Sequence, residues 1–256
     1  MKEIFEFVFL GIMFFLEGKS PWLTFKADRW HHAAQNIAVK FFNMISIYVI
    51  FFLAKYFPPI NVWNFSLLEK LNLPYFLEII VVIFICDIGT YFLHLATHQV
   101  PFLWRFHRVH HTDLFVDAST AFRTHIGETL VSNVLFLFFI FPFFGITLQQ
   151  YLIYQILYAL VAIFNHINLP LPDELDDFIK ILIVTPNMHR IHHSDKIFET
   201  NSNYGSVFSF WDRLFKTYKV KENLKELNFG LKEFTHPRWQ DFPGILITPF
   251  VSPVKD

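Results

Sequence analysis

The apolar positions of this chain gather into a few long blocks with short polar stretches between them. Ile37 to Phe57 is apolar almost throughout, and so is Phe76 to Leu93 apart from Glu78 near its start and Asp87 inside it. Each approaches the ~20 residues that a helix needs to cross the hydrocarbon of a bilayer. Leu130 to Phe164 is too long for one helix, and Pro142, Gly145 and Thr147 interrupt it. That pattern predicts a tight helical hairpin whose arms are each short for a full crossing. Phe5 to Leu16 falls in the length class of interfacial or re-entrant segments. Glu3, Glu6 and Glu17 flank it and no small-residue cleavage site follows, so it is expected to stay in the mature protein rather than act as a signal. The expected fold is an all-α integral membrane bundle of about four to five membrane-embedded helices with a polar, helical cap. The whole of 1–256 reads as one domain, with 219–256 as a tail.

The polar stretches set the orientation. Residues 17–35 carry Lys19, Lys26 and Arg29, and residues 98–128 carry Arg105, Arg108 and Arg123. Pro58 to Pro74 has only Lys70, and the hairpin tip has no base. The positive-inside rule therefore places 17–35, 98–128 and the charged tail from Pro170 onward in the cytosol, and 58–74 with the hairpin tip on the other side. A bacterial inner membrane and an endoplasmic reticulum both fit. Hydrophobic residues make up 54% of the chain and the mean hydropathy is +0.37, in keeping with a membrane protein. A net charge of −1 gives no case for a nucleic-acid partner. The single cysteine, Cys86, excludes an internal disulfide and any cysteine-built metal site, and its apolar neighbours mark it as a packing residue.

Chemistry enters with the histidines. Ten of the thirteen lie between positions 94 and 193. Two copies of one pattern stand out, His107-Arg108-Val109-His110-His111 and His189-Arg190-Ile191-His192-His193, with His94 and His98 upstream. Residues at i, i+3 and i+4 share one helix face, so each group can aim its imidazoles at one point. Eight such nitrogens would serve two metal ions with about four protein ligands each, leaving positions open for oxygen or water. Imidazole suits iron, zinc, copper and nickel alike, so the spacing does not name the metal.

Asp87 precedes His94 by seven residues and faces the same way, which makes it a candidate to support a ligand imidazole. Glu128 is a second such acid, or a helix cap. His125 and His166 lie close enough to the site to be ligands or end caps, while His31, His32 and His236 have no such company. In the tail, Asn203-Tyr204-Gly205 reads as a turn, with Gly tolerant of positive φ. Trp211, Phe215 and Tyr218 are spaced for one helix face, and Asn203, Tyr204, Trp211 and Asp212 are assigned structural roles in the cap.

These residues resemble the fatty acid hydroxylase/sterol desaturase superfamily of membrane di-iron, histidine-box proteins. The likeness covers roughly Arg29 to Tyr218 and keeps the family's order. Asp87 and Tyr91 lead into His94 and His98, then Trp104 to His111, Arg123-Thr124-His125 with Glu128, Phe164 to Asn168, Thr185 to Ser194, Asn203-Tyr204-Gly205 and Trp211 to Tyr218. Ile126 stands where many members have Pro, Lys216 where Gly is common, and Pro170 where some place a second histidine four residues after His166. The resemblance implies two Fe ions, with zinc as a substitute in purified protein. It implies O2-dependent C–H oxidation of a lipid drawn from the bilayer, such as a fatty acyl chain or sterol, with hydroxylation first in line. Desaturation and cleavage of an alkylglycerol ether are the nearest alternatives. No G-x-G-x-x-G is present, so electrons would come from a separate ferredoxin, cytochrome or reductase. The non-enzyme alternatives are a haem-binding membrane electron carrier and a metal transporter. Both would place histidines or acids within the bilayer, whereas these groups lie at helix ends.

Overall fold

The computed structural model describes residues 2–24, 28–54, 56 and 65–252. Lys26, part of residues 58–74 and the end of the expected Ile37–Phe57 span lie outside the described residues. Every regular element among the described residues is a helix, with two isolated β-bridges, Ile183 to Phe208 and Ser194 to Phe229, and no strand.

Among the described residues, three helices are long and apolar enough to cross a membrane. They are α2 (Arg29–Ala54), α4 (Tyr75–Gln99) and the composite of α6 (Ile126–Leu135), a π-helical turn (Phe136–Ile140) and α7 (Phe141–Phe144). Two others pack beside them: α1 (Lys2–Lys19), and α8 (Leu148–His166), which α1 lies against. A short α3 (Leu67–Leu71) sits by α7.

The expected hairpin forms at the expected residues, and its chemistry is visible. Gly145 turns the chain at φ 77°, a region costly for any side chain. Thr147 then caps α8: its hydroxyl accepts from Gln150 N while the Gln150 side chain accepts from Thr147 N. The buried faces follow helical spacing. Glu6, Leu10, Phe14 and Glu17 are buried on α1, and His32, Asn36, Val39 and Asn43 on α2.

The histidine-bearing elements gather at one end. Pro101 opens α5 (Pro101–His111) directly after α4, with Val100 alone between them. Thr185 caps α10 (Pro186–His192) by accepting from Met188 N. Between them come α9 (Asp173–Ile179) and, after α10, two short helices, α11 (Ile197–Thr200) and α12 (Phe210–Leu214).

The cap is fastened by buried polar groups. Glu17 accepts from Ala118 N at 3.2 Å, Asn168 N at 2.9 Å and Arg29 at 3.1 Å, tying α1 to the chain on both sides of the hairpin. The two arginines of the repeated pattern point away from the histidines. Arg108 donates to the carbonyls of Thr248 and Val251, and Arg190 to those of Ile167 and Leu169. Each also lies over an aromatic ring, Phe234 and Trp22 respectively. Their place in the motif is therefore explained by anchoring the helices that carry the histidines, not by contact with them.

Candidate metal centre

Nine imidazoles converge into two sets. His94, His98, His107, His111 and His192 form one, and His110, His166, His189 and His193 the other; within each, one ring nitrogen per residue lies within 4.8 Å of all the rest. Of the ten histidines between positions 94 and 193, only His125 stands outside.

The repeated pattern does not aim each triplet at one point, as its spacing had suggested. The first copy sends His107 and His111 to the five-residue set and His110 to the other. The second copy mirrors this, with His189 and His193 in the four-residue set and His192 in the five-residue set. The reason lies in the helix. At 3.6 residues per turn, i and i+4 nearly eclipse, while i+3 and i+4 diverge by about 100°. The adjacent rings are accordingly perpendicular: 90° for His110 against His111 and 90° for His192 against His193.

In the four-residue set, His166 Nε2 is 3.0 Å from His110 Nε2, 3.1 Å from His193 Nε2 and 2.9 Å from His189 Nε2. Those three contacts cannot all be hydrogen bonds. A ring nitrogen offers one in-plane lone pair or one N–H. His166 Nδ1 must donate to the Ala162 carbonyl, 2.6 Å away, so in the neutral ring Nε2 has only its lone pair. Four ring nitrogens aimed together could hold a cation. Nitrogens bound about 2.0–2.1 Å from one ion stand about 2.9 to 3.4 Å apart at right or tetrahedral angles, which brackets the observed spacing.

The five-residue set is held from behind as well. His94 Nδ1 meets the Tyr204 carbonyl at 2.8 Å, His192 Nδ1 the Ser202 carbonyl at 2.8 Å, and His107 Nδ1 the Glu128 carboxylate at 2.9 Å. His98 Nδ1 faces Asn201 Oδ1 at 3.2 Å and His111 Nδ1 faces Thr200 Oγ1 at 3.3 Å. Every Nδ1 thus has an acceptor, which leaves every Nε2 lone pair facing the centre. Burial, then the neighbouring imidazoles, hold His110, His111, His189 and His193 well below the usual histidine range; burial, then His107, brings His192 down to about 3. Those five rings are neutral near pH 7, as a metal-ligating imidazole is.

Three expectations need correction, and one left open, the role of His125, is narrowed. Asp87 touches no histidine of either set. It accepts from Val207 N, Phe208 N, Trp211 Nε1 and Tyr154 OH at 3.1, 3.0, 2.8 and 3.2 Å, clamping the cap loop onto α4. A seven-residue offset does put it on the His94 face, but some 10 Å along the axis, where the loop meets it first. His125 is the cap of α6: its Nδ1 accepts from Gly127 N at 3.0 Å, and its Nε2 faces the Leu246 carbonyl at 3.2 Å. In the 203–205 turn the positive φ belongs to Asn203, at 53°, and not to Gly205. Nor do Phe215 and Tyr218 share a helix face with Trp211, because α12 ends at Leu214.

The other residues singled out sit as follows. Glu128 lies behind His107, where a carboxylate–imidazole pair belongs. Its replacement in Glu128→Gln removes the charge behind that ring, and a 10- to 100-fold weaker affinity for the metal of the five-residue set is expected in a competition titration against a chelator. Asn203 donates to the carbonyls of Met188 and Lys219, and Asp212 accepts from Tyr204 N at 2.7 Å and Gly205 N at 2.9 Å. Together they shape the loop that presents the Tyr204 carbonyl to His94. Lys216, where the resemblance leads one to expect Gly, has φ 60°, the conformation a glycine takes without strain.

His32 lies far in sequence from the histidine groups. It lies in a buried ion-paired group, 2.7 Å from Asp113 and 3.3 Å from Asp117. Burial alone would push the Asp113 carboxyl up, but His32 and Arg123 hold it well below the usual carboxylate range. Arg123 is fully buried there, donating to the Val109 carbonyl on α5. A histidine 81 residues from its partner leaves no local signal.

A cavity of about 450 Å³ reaches this centre, lined at that end by His94, His107, His110, His166 and His189. It follows one face of α8 through Leu148, Leu152, Gln155, Ala159, Ala162 and His166, over about 27 Å of helix.

The sequence model of the fatty acid hydroxylase family matches residues 79–217, which includes both histidine sets. Human alkylglycerol monooxygenase is 30% identical over 155 residues, 59% of this chain and 32% of its own length. The zebrafish (Danio rerio) alkylglycerol monooxygenase is 28% identical over 155 residues, 31% of its length. Ornithine lipid hydroxylase OlsE of Rhizobium tropici is 28% identical over 158 residues, 62% of this chain and 46% of its own. The chain thus spans a third to a half of the length of the curated relatives it matches, and no solved structure matches it. A family match over more than half of the chain, centred on the converging histidines, shows that this protein belongs to the fatty acid hydroxylase family.

Proposed function

We propose that the chain is a membrane-bound oxygenase that uses two iron ions, one in each histidine set, to oxidise a C–H bond of a lipid with O2. The observation that carries this reading is the pair of converging imidazole sets at the head of a long, largely apolar cavity. The donor sets fit divalent iron: imidazoles that are buried in seven of the nine cases, with Nδ1 tied back throughout the five-residue set and in His166. Bound iron supplies the O2 and redox chemistry that no side chain can.

The chain's own residues supply the rest. Glu128 and the carbonyls of Tyr204, Ser202 and Ala162 orient the rings. The apolar face of α8 excludes water and lines up the hydrocarbon chain of a substrate entering from the bilayer. The relatives named as alkylglycerol monooxygenases and an ornithine lipid hydroxylase support a lipid substrate. The distribution of Lys and Arg supports placing the histidine end in the cytosol, where a separate ferredoxin, cytochrome or reductase would deliver the two electrons.

Metal analysis of purified, iron-loaded protein should give two metal ions per chain, and incubation with lipid extract, O2 and a reducing system should give an oxygenated lipid. Fewer than one ion per chain after loading overturns the two-iron reading. The product separates hydroxylation from desaturation and ether cleavage, since these leave an alcohol, an alkene and an aldehyde with a free glycerol, respectively.

A further inference from the structure

One flank of the cap, away from the cavity, sorts its side chains against the usual order. On α9, Asp176 is 5% exposed while Phe178 is 74% exposed. On α12, Asp212 is fully buried while Leu214 is 63% exposed. Ile181 and Leu182, just after α9, are exposed as well. Helix periodicity puts Leu175 and Phe178 on one side of α9 and Asp173, Asp176 and Asp177 on the other, with Glu174 of the first turn between them. A helix on a water-facing surface packs its apolar side away. α9 leaves Leu175 and Phe178 outside, and Asp173 and Asp177 outside on its other side. Two exposed sides of opposite polarity suit a helix lying where water meets lipid.

This flank leans on a helix that is long and apolar enough to cross a membrane. Ser209 N donates to the Leu182 carbonyl at 3.0 Å, and Ser209 Oγ and Arg213 donate to the Lys180 carbonyl at 2.6 and 2.8 Å, which joins 178–183 to 208–214. The rings of Phe208 and Phe210 lie 4.9 and 6.1 Å from that of Phe84 on α4, and Phe215 lies 5.2 Å from Tyr91 and 4.9 Å from Phe92. Phe84 and Phe92 are exposed on α4 itself. Phe84 precedes His94 by ten residues, about 15 Å along the axis, which is half of a ~30 Å hydrocarbon core. The flank thus hangs down the outside of α4, and its apolar side continues the exposed surface of that helix. Its cations are partnered or long enough to reach headgroups. Lys180 pairs with Asp176 at 3.6 Å and with Asp177, Arg213 lies over the Tyr218 ring at 4.3 Å, and Lys216 is exposed beyond Phe215.

We propose that this flank is a membrane-embedded surface of the cap. Phe178, Ile181, Leu182 and Leu214 sit among the acyl chains of the leaflet on the histidine side, and α9 lies along the interface with Asp173 and Asp177 at the headgroups. Continuity with the exposed face of α4 is what assigns the flank to lipid, not to a protein partner or a second copy of this chain. The proposal is independent of whether the chain oxidises a lipid.

Cys86 is the only cysteine and is buried, so single cysteines placed at the surface can be labelled selectively. Phe178→Cys, Leu214→Cys and Asp173→Cys, each carrying a nitroxide, are compared in the full chain in phosphatidylcholine nanodiscs. Collisions with oxygen, which concentrates among acyl chains, are measured against collisions with a water-soluble nickel chelate. The oxygen-to-nickel ratio for Phe178→Cys and Leu214→Cys is expected to exceed that for Asp173→Cys roughly tenfold, because hydrocarbon excludes the polar chelate. Equal ratios at the three positions overturn the proposal. Labels on Phe178→Cys and Leu214→Cys that meet neither collider show protein covering the flank, and overturn it too. The unaltered chain gives a second measurement. A phosphatidylcholine with a diazirine in its acyl chain, photolysed in the nanodisc, should leave adducts on 175–182 and 210–215 as well as on α4. Adducts on α4 with none on those two segments refute the embedding, even where a cysteine variant fails to fold.

Discussion

His166→Ala protein should bind roughly half of the metal that the wild-type chain binds and oxidise no lipid. His166 Nε2 stands within 3.1 Å of all three other members of the four-residue set, so its loss breaks every close contact through that ring. The three that remain lack the Nδ1 support of the other set, since the Nδ1 atoms of His110, His189 and His193 have no hydrogen-bond partner among the described residues. The five-residue set shares no ligand with it and should keep its ion. His125→Ala is the matched comparison. It removes a histidine equally prominent in the sequence but one that caps α6, so about 1 kcal/mol of stability should go while both ions remain. Elemental analysis per chain, with product detection, reads both. Two ions retained in the His166 variant would refute its assignment to the site.

Asp87→Ala should be the most destabilising single change in the membrane helices. The carboxylate is fully buried and accepts four bonds, three of them from the 207–211 segment. Its truncation leaves those donors buried without a partner, at about 1–3 kcal/mol each. Even if water relieves half of that, the loss is a large fraction of the ~5–15 kcal/mol that holds a typical domain folded. The damage also has a direction. The freed segment follows Tyr204, whose carbonyl orients His94, so the five-residue set should lose its metal first. Asp87→Asn, which retains acceptor capacity, should melt between the two. Thermal unfolding in detergent by intrinsic fluorescence, with metal content followed alongside, tests this; a wild-type melting profile for Asp87→Ala would contradict it.

The helices and the hairpin were legible because burial in lipid writes long apolar runs, and breaks such as Pro142 and Gly145 mark their ends without reference to anything distant. The family, too, was legible, since its histidines come at fixed local spacings. What the spacing could not give was the sorting of each triplet between two centres. Helix periodicity says that His107 and His111 agree and that His110 departs from them, but which centre each meets depends on how α5 and α10 face one another. The roles of Asp87, His32 and His166 were hidden for a related reason. Each is decided by a partner far along the chain, at 120 positions for Asp87 with Val207 and 81 for His32 with Asp113. A buried acid inside an apolar helix announces that a partner exists, not which one it is.

The split doublets bear on the spacing that two ions, one in each set, would take. His110 and His111 are consecutive, as are His192 and His193, and in each pair one residue serves each centre. Consecutive Cα atoms are fixed about 3.8 Å apart by the covalent chain. Two such rigid spacers, set on facing helices, act as a gauge for the interval between the sites. Among the described residues neither set contains a carboxylate that could bridge the pair. The interval between the two proposed ions would thus be held by the peptide backbone itself, whether one site or both were filled.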